Sequence, residues 1–265
     1  MPTVSANGIN INYQIEGPEG APLITFSNSL ATNLSMWDQQ VKLLSNDWRI
    51  LRYDQRGHGD TDASPPPYSF DLLVQDLIGL WDMLDINNSV LCGLSMGGTT
   101  GLGVAIDHNK RLTGFIGCDL PHHSPEPFVE AWNDRKAMAE KGGMRGMAEP
   151  TATRWFTEQF YSNSDNQETM SKIKNMISTT KLEGFLGCAS ALQTIQYHGR
   201  IEEIRVPTLF ISGAEDAAAG PKSMEPLLAM VPSSSMHIVP NAGHIANMEN
   251  PDNFNSALVS FLNNL

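Results

Sequence analysis

The hexapeptide Gly93-Leu94-Ser95-Met96-Gly97-Gly98 is the stretch of this chain best suited to chemistry. It follows a short apolar run and precedes a helical pattern, the setting in which a G-x-S-x-G phrase holds its serine on a sharp strand-to-helix turn. The turn needs minimal residues two places either side of the serine, and Gly93 and Gly97 meet that need. A serine so placed stands at a helix N-terminus, where free N–H groups and the helix dipole favour a developing oxyanion. The chemistry on offer is nucleophilic attack on a carbonyl.

A serine hydroxyl is a weak nucleophile until a base takes its proton. Of seven histidines, His244 in Asn241-Ala242-Gly243-His244-Ile245 follows the last apolar run and precedes the terminal helix, so its loop can fold back over the same sheet edge. His58, in Arg56-Gly57-His58-Gly59, competes from a similar loop. It precedes the serine, whereas folds with this turn order their triad Ser, acid, His, so a loop-organising role suits it better. His108, His122, His123, His198 and His237 read as solvated or structural.

The base in turn needs a carboxylate to fix its tautomer and stabilise its cation. Asp216 is the first choice, past an apolar run and followed by Ala217-Ala218-Ala219-Gly220, which leaves room for an imidazole. Asp119, also past a strand, is the rival for a catalytic or substrate-binding place, and Glu215 stands behind both. Two backbone N–H groups should form the oxyanion hole: Met96, next after the nucleophile, and Leu30, from the loop after residues 23–26. Asn28 in that loop either touches substrate or braces the turn. No His/Cys/carboxylate cluster has metal-ligand spacing, and no G-x-G-x-x-G follows a strand, so neither a metal nor another cofactor is expected.

The elements that must position these groups are short apolar runs ending in Gly/Ser/Asn/Asp clusters, at 23–26, 49–53, 89–92, 112–118, 206–211 and 236–239. Such runs fit strands buried on both faces of a parallel sheet. Residues 9–15 alternate apolar and polar and read as an antiparallel strand at a sheet edge. Helical spacing marks 70–84, 97–107 and 252–263, with Ser69 or Asp71 as a cap for the first. This alternation predicts an α/β, doubly wound and mostly parallel sheet. It breaks between 121 and 200, where helical patterns follow one another between Pro121 and Arg205-Val206-Pro207. The expected organisation is a core of residues 1–120 and 201–265, with 121–200 as a helical cap over the carboxyl edge.

Composition narrows the function classes. The 265 residues suffice for one sizeable core, and 41% are apolar. The formal charge of −12 repels phosphate backbones and anionic lipid, so neither nucleic acid nor membrane is an expected partner. No apolar run approaches the ~20 residues a membrane helix requires. Met1-Pro2-Thr3-Val4-Ser5 has no basic start and no apolar stretch, and three scattered cysteines, Cys92, Cys118 and Cys188, suit a reducing compartment. A cytoplasmic enzyme is expected, its partner a small-molecule ester or lactone; association into a homo-oligomer is compatible with this reading.

These phrases together resemble the α/β-hydrolase superfamily over nearly the whole chain, and within it the 3-oxoadipate enol-lactonases of aromatic catabolism. Phe26-Ser27-Asn28-Ser29-Leu30, Ser35-Met36-Trp37, Leu51-Arg52-Tyr53-Asp54, Arg56-Gly57-His58-Gly59, Cys92 through Gly98, Arg154-Trp155-Phe156-Thr157, Ile211-Ser212-Gly213 with Asp216, and Gly243-His244-Ile245 carry the likeness. The resemblance implies an α/β-hydrolase fold and a Ser95–His244–Asp216 acyl-enzyme mechanism. Its substrate bears a free carboxylate, so the resemblance also implies a cation in the pocket. Trp132 and Arg135 match cap positions often aromatic and basic in those enzymes, and Trp155 belongs to the more specific phrases, so all three are substrate-binding candidates. Arg135 reads equally well as a solvated surface residue. The chain departs at Cys118-Asp119-Leu120-Pro121-His122-His123, where those lactonases usually have Cys-Asn-Thr and small residues. That loop enters the cap, so the difference bears on substrate and leaves the triad alone. Another ester or lactone, carbon–carbon hydrolysis or perhydrolysis are the enzymatic alternatives; a small-molecule receptor on the same fold is a remoter one.

Overall fold

The structure, a computed structural model, describes residues 2–265. Eight strands form one sheet: β1 (Thr3–Ala6), β2 (Ile9–Glu16), β3 (Leu23–Ser27), β4 (Arg49–Tyr53), β5 (Ser89–Leu94), β6 (Leu112–Cys118), β7 (Thr208–Gly213) and β8 (Ser234–Val239), in the order β1-β2-β4-β3-β5-β6-β7-β8. β1–β2 and β2–β4 pair antiparallel, and every later pairing is parallel. The alternating run at residues 9–15 is therefore one strand in from the edge, and the outermost place belongs to β1. Four residues with little apolar content gave that strand no periodic signal.

β5 and β7 are buried at every position, as the continuous apolar runs require of strands covered on both faces. The covering helices of the core are α1 (Asp38–Leu44), α2 (Phe70–Met83) and α3 (Met96–Asp107), and, after β7, α8 (Pro221–Met230), α9 (Ala246–Glu249) and α10 (Pro251–Leu262). Ser69 caps α2 as expected, its side chain accepting from the Leu72 N–H. Trp37 is wholly buried, stacked on Phe26 at 4.7 Å between ring centroids and tilted against Phe254 at 6.3 Å.

Between β6 and β7 the chain leaves the sheet. It runs through α4 (Glu126–Trp155), α5 (Glu158–Ser162), α6 (Gln167–Thr179) and α7 (Leu182–Leu192) before returning through a short 3-10 segment at His198–Glu203. α4 breaks at Gly143, whose φ of +64° a side chain would resist, so its two halves turn relative to each other. Ser95, Asp216, His244 and Leu30 all follow carboxyl ends of strands. The chain runs from β3 outward to β4 on one side and then to β5 on the other, so Leu30 and Ser95 flank the point where the winding reverses, the customary place for a ligand crevice. No helix of the described residues is long and apolar enough to cross a membrane.

Candidate active site

Ser95 sits on the turn from β5 to α3 with φ 54° and ψ −117°, a conformation that costs free energy for any residue with a side chain. Its surroundings hold it there. Its N–H donates to the Cys118 carbonyl at 2.8 Å and its carbonyl accepts from the Thr99 N–H at 2.9 Å. The flanking glycines are steric necessities. A Cβ on Gly93 would lie 2.3 Å from the Gly97 carbonyl oxygen, and one on Gly97 would lie 2.2 Å from that of Ser27.

The strand ends bring three distant side chains into line. His244 Nε2 lies 2.9 Å from the Ser95 hydroxyl, and its Nδ1 lies 2.8 Å from Asp216 Oδ2. With Nδ1–H donating to the carboxylate, Nε2 is left to accept from Ser95. Asp216 also accepts from the Ala218 N–H at 2.7 Å and the Ala219 N–H at 3.1 Å. Burial pushes this carboxyl up, but His244 and the two amides outweigh it and hold its pKa below the ordinary 3.8. The small residues after Asp216 thus supply donors as well as room.

Asp119 lies behind this line. Its Oδ1 accepts from the Ser212 hydroxyl and the Gly213 N–H, both at 2.9 Å, and its Oδ2 has no partner. Burial, and then repulsion from Asp216, raise its pKa well above the usual carboxylate range. The two aspartates that the sequence left in competition are therefore pushed in opposite directions, Asp119 up and Asp216 down, and it is Asp216 that touches the imidazole. Glu215 makes no side-chain hydrogen bond to His244 among the described residues.

Ser29, Leu30 and Ala31 line the cavity above Ser95. The Leu30 N–H has no acceptor among the described residues, and the Met96 N–H, first in α3, has none within its helix. The next amide, of Ala31, donates to His58 Nε2 at 2.9 Å, and His58 Nδ1 donates to the Arg56 carbonyl at 3.0 Å. Burial lowers His58 to about 4, so it stays neutral and keeps the acceptor lone pair that this loop needs. His58 braces the candidate oxyanion loop and does not reach Ser95. Asn28 braces it too: its amide donates to the Tyr53 carbonyl at 2.8 Å and accepts from the Trp37 indole at 3.1 Å. It is wholly buried and absent from the cavity wall, so of its two expected places the substrate-contacting one is corrected in favour of the brace.

Trp132, Arg135 and Trp155 all line the cavity, with Phe128, Phe185 and Leu192 supplying much of its apolar wall. Arg135 lies 4.6 Å from the Trp132 ring, and the buried Trp132 indole N–H has no acceptor. Arg154 joins them on the cavity wall. Burial, reinforced by Arg135, pushes its guanidinium down to about 10, still charged at neutral pH, and burial lowers Arg135 as well. Among the described residues neither arginine has a carboxylate partner. Arg154 stands in the phrase Arg154-Trp155-Phe156-Thr157, where the sequence alone gives it no role. Its place could have been inferred only by knowing that the end of α4 lies over His244.

That end of α4 is bound to the histidine loop directly. The His244 N–H donates to the Trp155 carbonyl at 2.7 Å. Glu249 accepts from the Gly243 N–H at 2.7 Å through one oxygen, and through the other from the Thr157 N–H at 2.8 Å and hydroxyl at 2.6 Å. A Cβ on Gly243 would lie 2.5 Å from the Trp155 oxygen, which accounts for glycine before the histidine. Sequence inspection gave Glu249 no role, since its partners lie 6 and 92 positions away.

One expectation needs correction. His122, His123 and His198, read as separate solvated or structural residues with no metal-ligand spacing, converge: one ring nitrogen from each lies within 4.8 Å of the others. Seventy-odd intervening residues hid the grouping.

A central strand–serine–helix turn, with Asp216 and His244 delivered by the last two strands of the sheet, β7 and β8, defines an α/β enzyme scaffold of the nucleophile-elbow class. The chain belongs to the alpha/beta hydrolase fold family, whose profile matches residues 22–251. It is 34% identical to 3-oxoadipate enol-lactonase 2 of Acinetobacter baylyi over 97% of this chain and 94% of that protein. It is 30% identical to 3-oxoadipate enol-lactonase 1 of the same organism, over 97% and 95%. Among solved structures it is similar to the enol-lactonase from Burkholderia xenovorans, with a TM-score of 0.94 and 35% identity across 99% of this chain and 100% of that one.

Proposed function

We propose that this chain hydrolyses small carboxylic esters or lactones through an acyl-enzyme on Ser95, and that its substrate is 3-oxoadipate enol-lactone, an intermediate of aromatic catabolism. The observation that carries the reading is the continuous Asp216–His244–Ser95 relay, with contacts of 2.8 and 2.9 Å, opening onto a cavity that holds two arginines without carboxylate partners. The relay supplies the nucleophile, and the arginines favour a substrate with a free carboxylate.

His244 Nε2 takes the Ser95 proton as the serine oxygen attacks the lactone carbonyl. The Leu30 and Met96 N–H groups stabilise the tetrahedral oxyanion, and Asp216 stabilises the imidazolium. Collapse breaks the ring C–O bond, and His244 returns its proton to the leaving enol oxygen. Water, deprotonated by the same imidazole, then attacks the acyl carbon and releases Ser95 with the second carboxylate. The relatives named above support the lactone, and three buried, unpaired cysteines support a cytoplasmic setting.

Initial rates on the enol-lactone, on simple lactones and on p-nitrophenyl acetate test the substrate, and fluorophosphonate labelling tests the nucleophile. Lactone turnover well above ester turnover, with adduct mass on Ser95 that Ser95→Ala abolishes, is the expected result. Brisk ester turnover with poor lactone turnover would reject the substrate; a folded chain that never acquires the adduct would reject the enzyme reading.

A further inference from the structure

We propose that His122, His123 and His198 form a binding site for a borderline divalent transition-metal ion, Zn²⁺ foremost, that staples together the two chain segments joining the helical excursion to the sheet.

His122 and His123 lie on the segment leaving β6, and His198 lies on the segment returning toward β7. The two segments are already fastened to each other. The Ser124 hydroxyl donates to the Leu192 carbonyl at 2.7 Å and accepts from the Ile195 N–H at 2.9 Å. His123 and Gln196 form an isolated antiparallel bridge. The three rings are thus presented by backbone whose spacing is fixed, which a metal site requires if binding is not to be spent on ordering its ligands.

Each ring contact is a poor hydrogen bond, and either one, though not both at a single ion, is a good ligand spacing. His122 Nδ1 lies 3.3 Å from His123 Nδ1, and His122 Nε2 lies 3.4 Å from His198 Nδ1. An N–H···N bond prefers a shorter approach. Two nitrogens bound at the usual ~2.0–2.1 Å to a tetrahedral ion sit roughly 3.3–3.4 Å apart. A single ion uses one nitrogen of each ring, and the widest separation among the three is 4.8 Å. Closing it takes a movement of about 1.4 Å, which the exposed rings of His123 and His198 can make by turning about their side-chain bonds. His122 is buried and is the fixed member.

The chemistry of the donors selects the ion. Three imidazoles and no carboxylate favour zinc, cobalt, nickel or copper over magnesium or calcium, and leave a fourth position for water.

Calorimetric titration of the untagged, chelator-treated chain with ZnCl₂ tests the proposal. The expected result is one ion per chain with Kd in the micromolar range or below. His198→Ala and His123→Ala, both at exposed positions, should each weaken binding at least 10-fold with unchanged circular dichroism, while His108→Ala and His237→Ala leave it alone. Cobalt should give the visible bands of four-coordinate Co²⁺, and zinc at a hundred times Kd should raise Tm by roughly 5 °C or more. Failure to bind, or equal binding by wild type and the His123→Ala/His198→Ala double variant, overturns it. None of these readouts depends on turnover.

Discussion

Exchanging each aspartate for asparagine separates a carboxylate that acts from one that only fills space. In Asp216→Asn, the Ala218 and Ala219 amides at 2.7 and 3.1 Å still demand an acceptor, so the new amide keeps its oxygen toward one of them. Its NH₂ then faces His244 Nδ1, where Oδ2 stood at 2.8 Å. An NH₂ donates, so Nδ1 becomes the acceptor and the ring proton moves to Nε2, the atom that must receive the Ser95 proton. The imidazolium of the transition state also loses its counter-charge. A wrong tautomer of this kind costs about 10⁴-fold in kcat, or roughly 5 kcal/mol. Asp119→Asn changes little in comparison. Its carbonyl keeps the Ser212 and Gly213 donors, and the replaced oxygen is one that has no partner, on a carboxyl whose charged form burial already disfavours. Less than about a 10-fold loss is expected, since Asp119 has no hydrogen bond to His244 or Ser95. Steady-state hydrolysis of p-nitrophenyl acetate, with active sites counted by burst titration, reads both. A ranking in which Asp119→Asn is the slower variant would refute the reasoning and make Asp119 the acid of the relay.

Arg154→Met, and to a similar degree Arg135→Met, should raise KM for a carboxylate-bearing lactone by roughly 10- to 100-fold while leaving p-nitrophenyl acetate kinetics near wild type; equal losses on both substrates would make the arginines structural. Gly243→Ala, whose Cβ would meet the Trp155 carbonyl oxygen at 2.5 Å, should lower stability to urea by about 1–3 kcal/mol and slow fluorophosphonate labelling of Ser95. Asp119 also sets a pH dependence. Its folded-state pKa lies well above the ordinary 3.8, so the folded chain holds this proton to a higher pH than the unfolded chain does. The stability this confers is fully present below the unfolded pKa and is lost as pH rises toward the folded one, by up to about 1.4 kcal/mol per pH unit. As pH rises above the ordinary carboxylate range, urea unfolding of wild type should therefore lose stability relative to Asp119→Asn; parallel curves would show that the folded state does not raise the pKa of Asp119.

The parts of this molecule that could be read from sequence are those enforced by neighbours along the chain. Gly93 and Gly97 betray Ser95 because steric demands at a tight turn act over two residues. Buried strands such as β5 announce themselves by unbroken apolar runs, and Ser69 by its position before α2. His244 and Asp216 were legible at one remove, as residues past strand ends. What escaped was set by distance in sequence. Arg154, Glu249 and the meeting of His198 with His122 depend on where α4 and the returning segment lie over the sheet, and no local pattern encodes that. β1 escaped for the opposite reason, being too short and too polar to carry a pattern. The Asp119–Asp216 contest required burial and partners, since both aspartates follow strands and differ only in what surrounds them.

The backbone bond from His244 to Trp155, with Glu249 seated between Gly243 and Thr157, fastens the end of α4 to the peptide that carries the imidazole. The excursion between β6 and β7 is thus anchored on the very loop that meets Ser95, and a substitution that loosens the end of α4 bears on the aim of His244 as well as on the wall of the cavity.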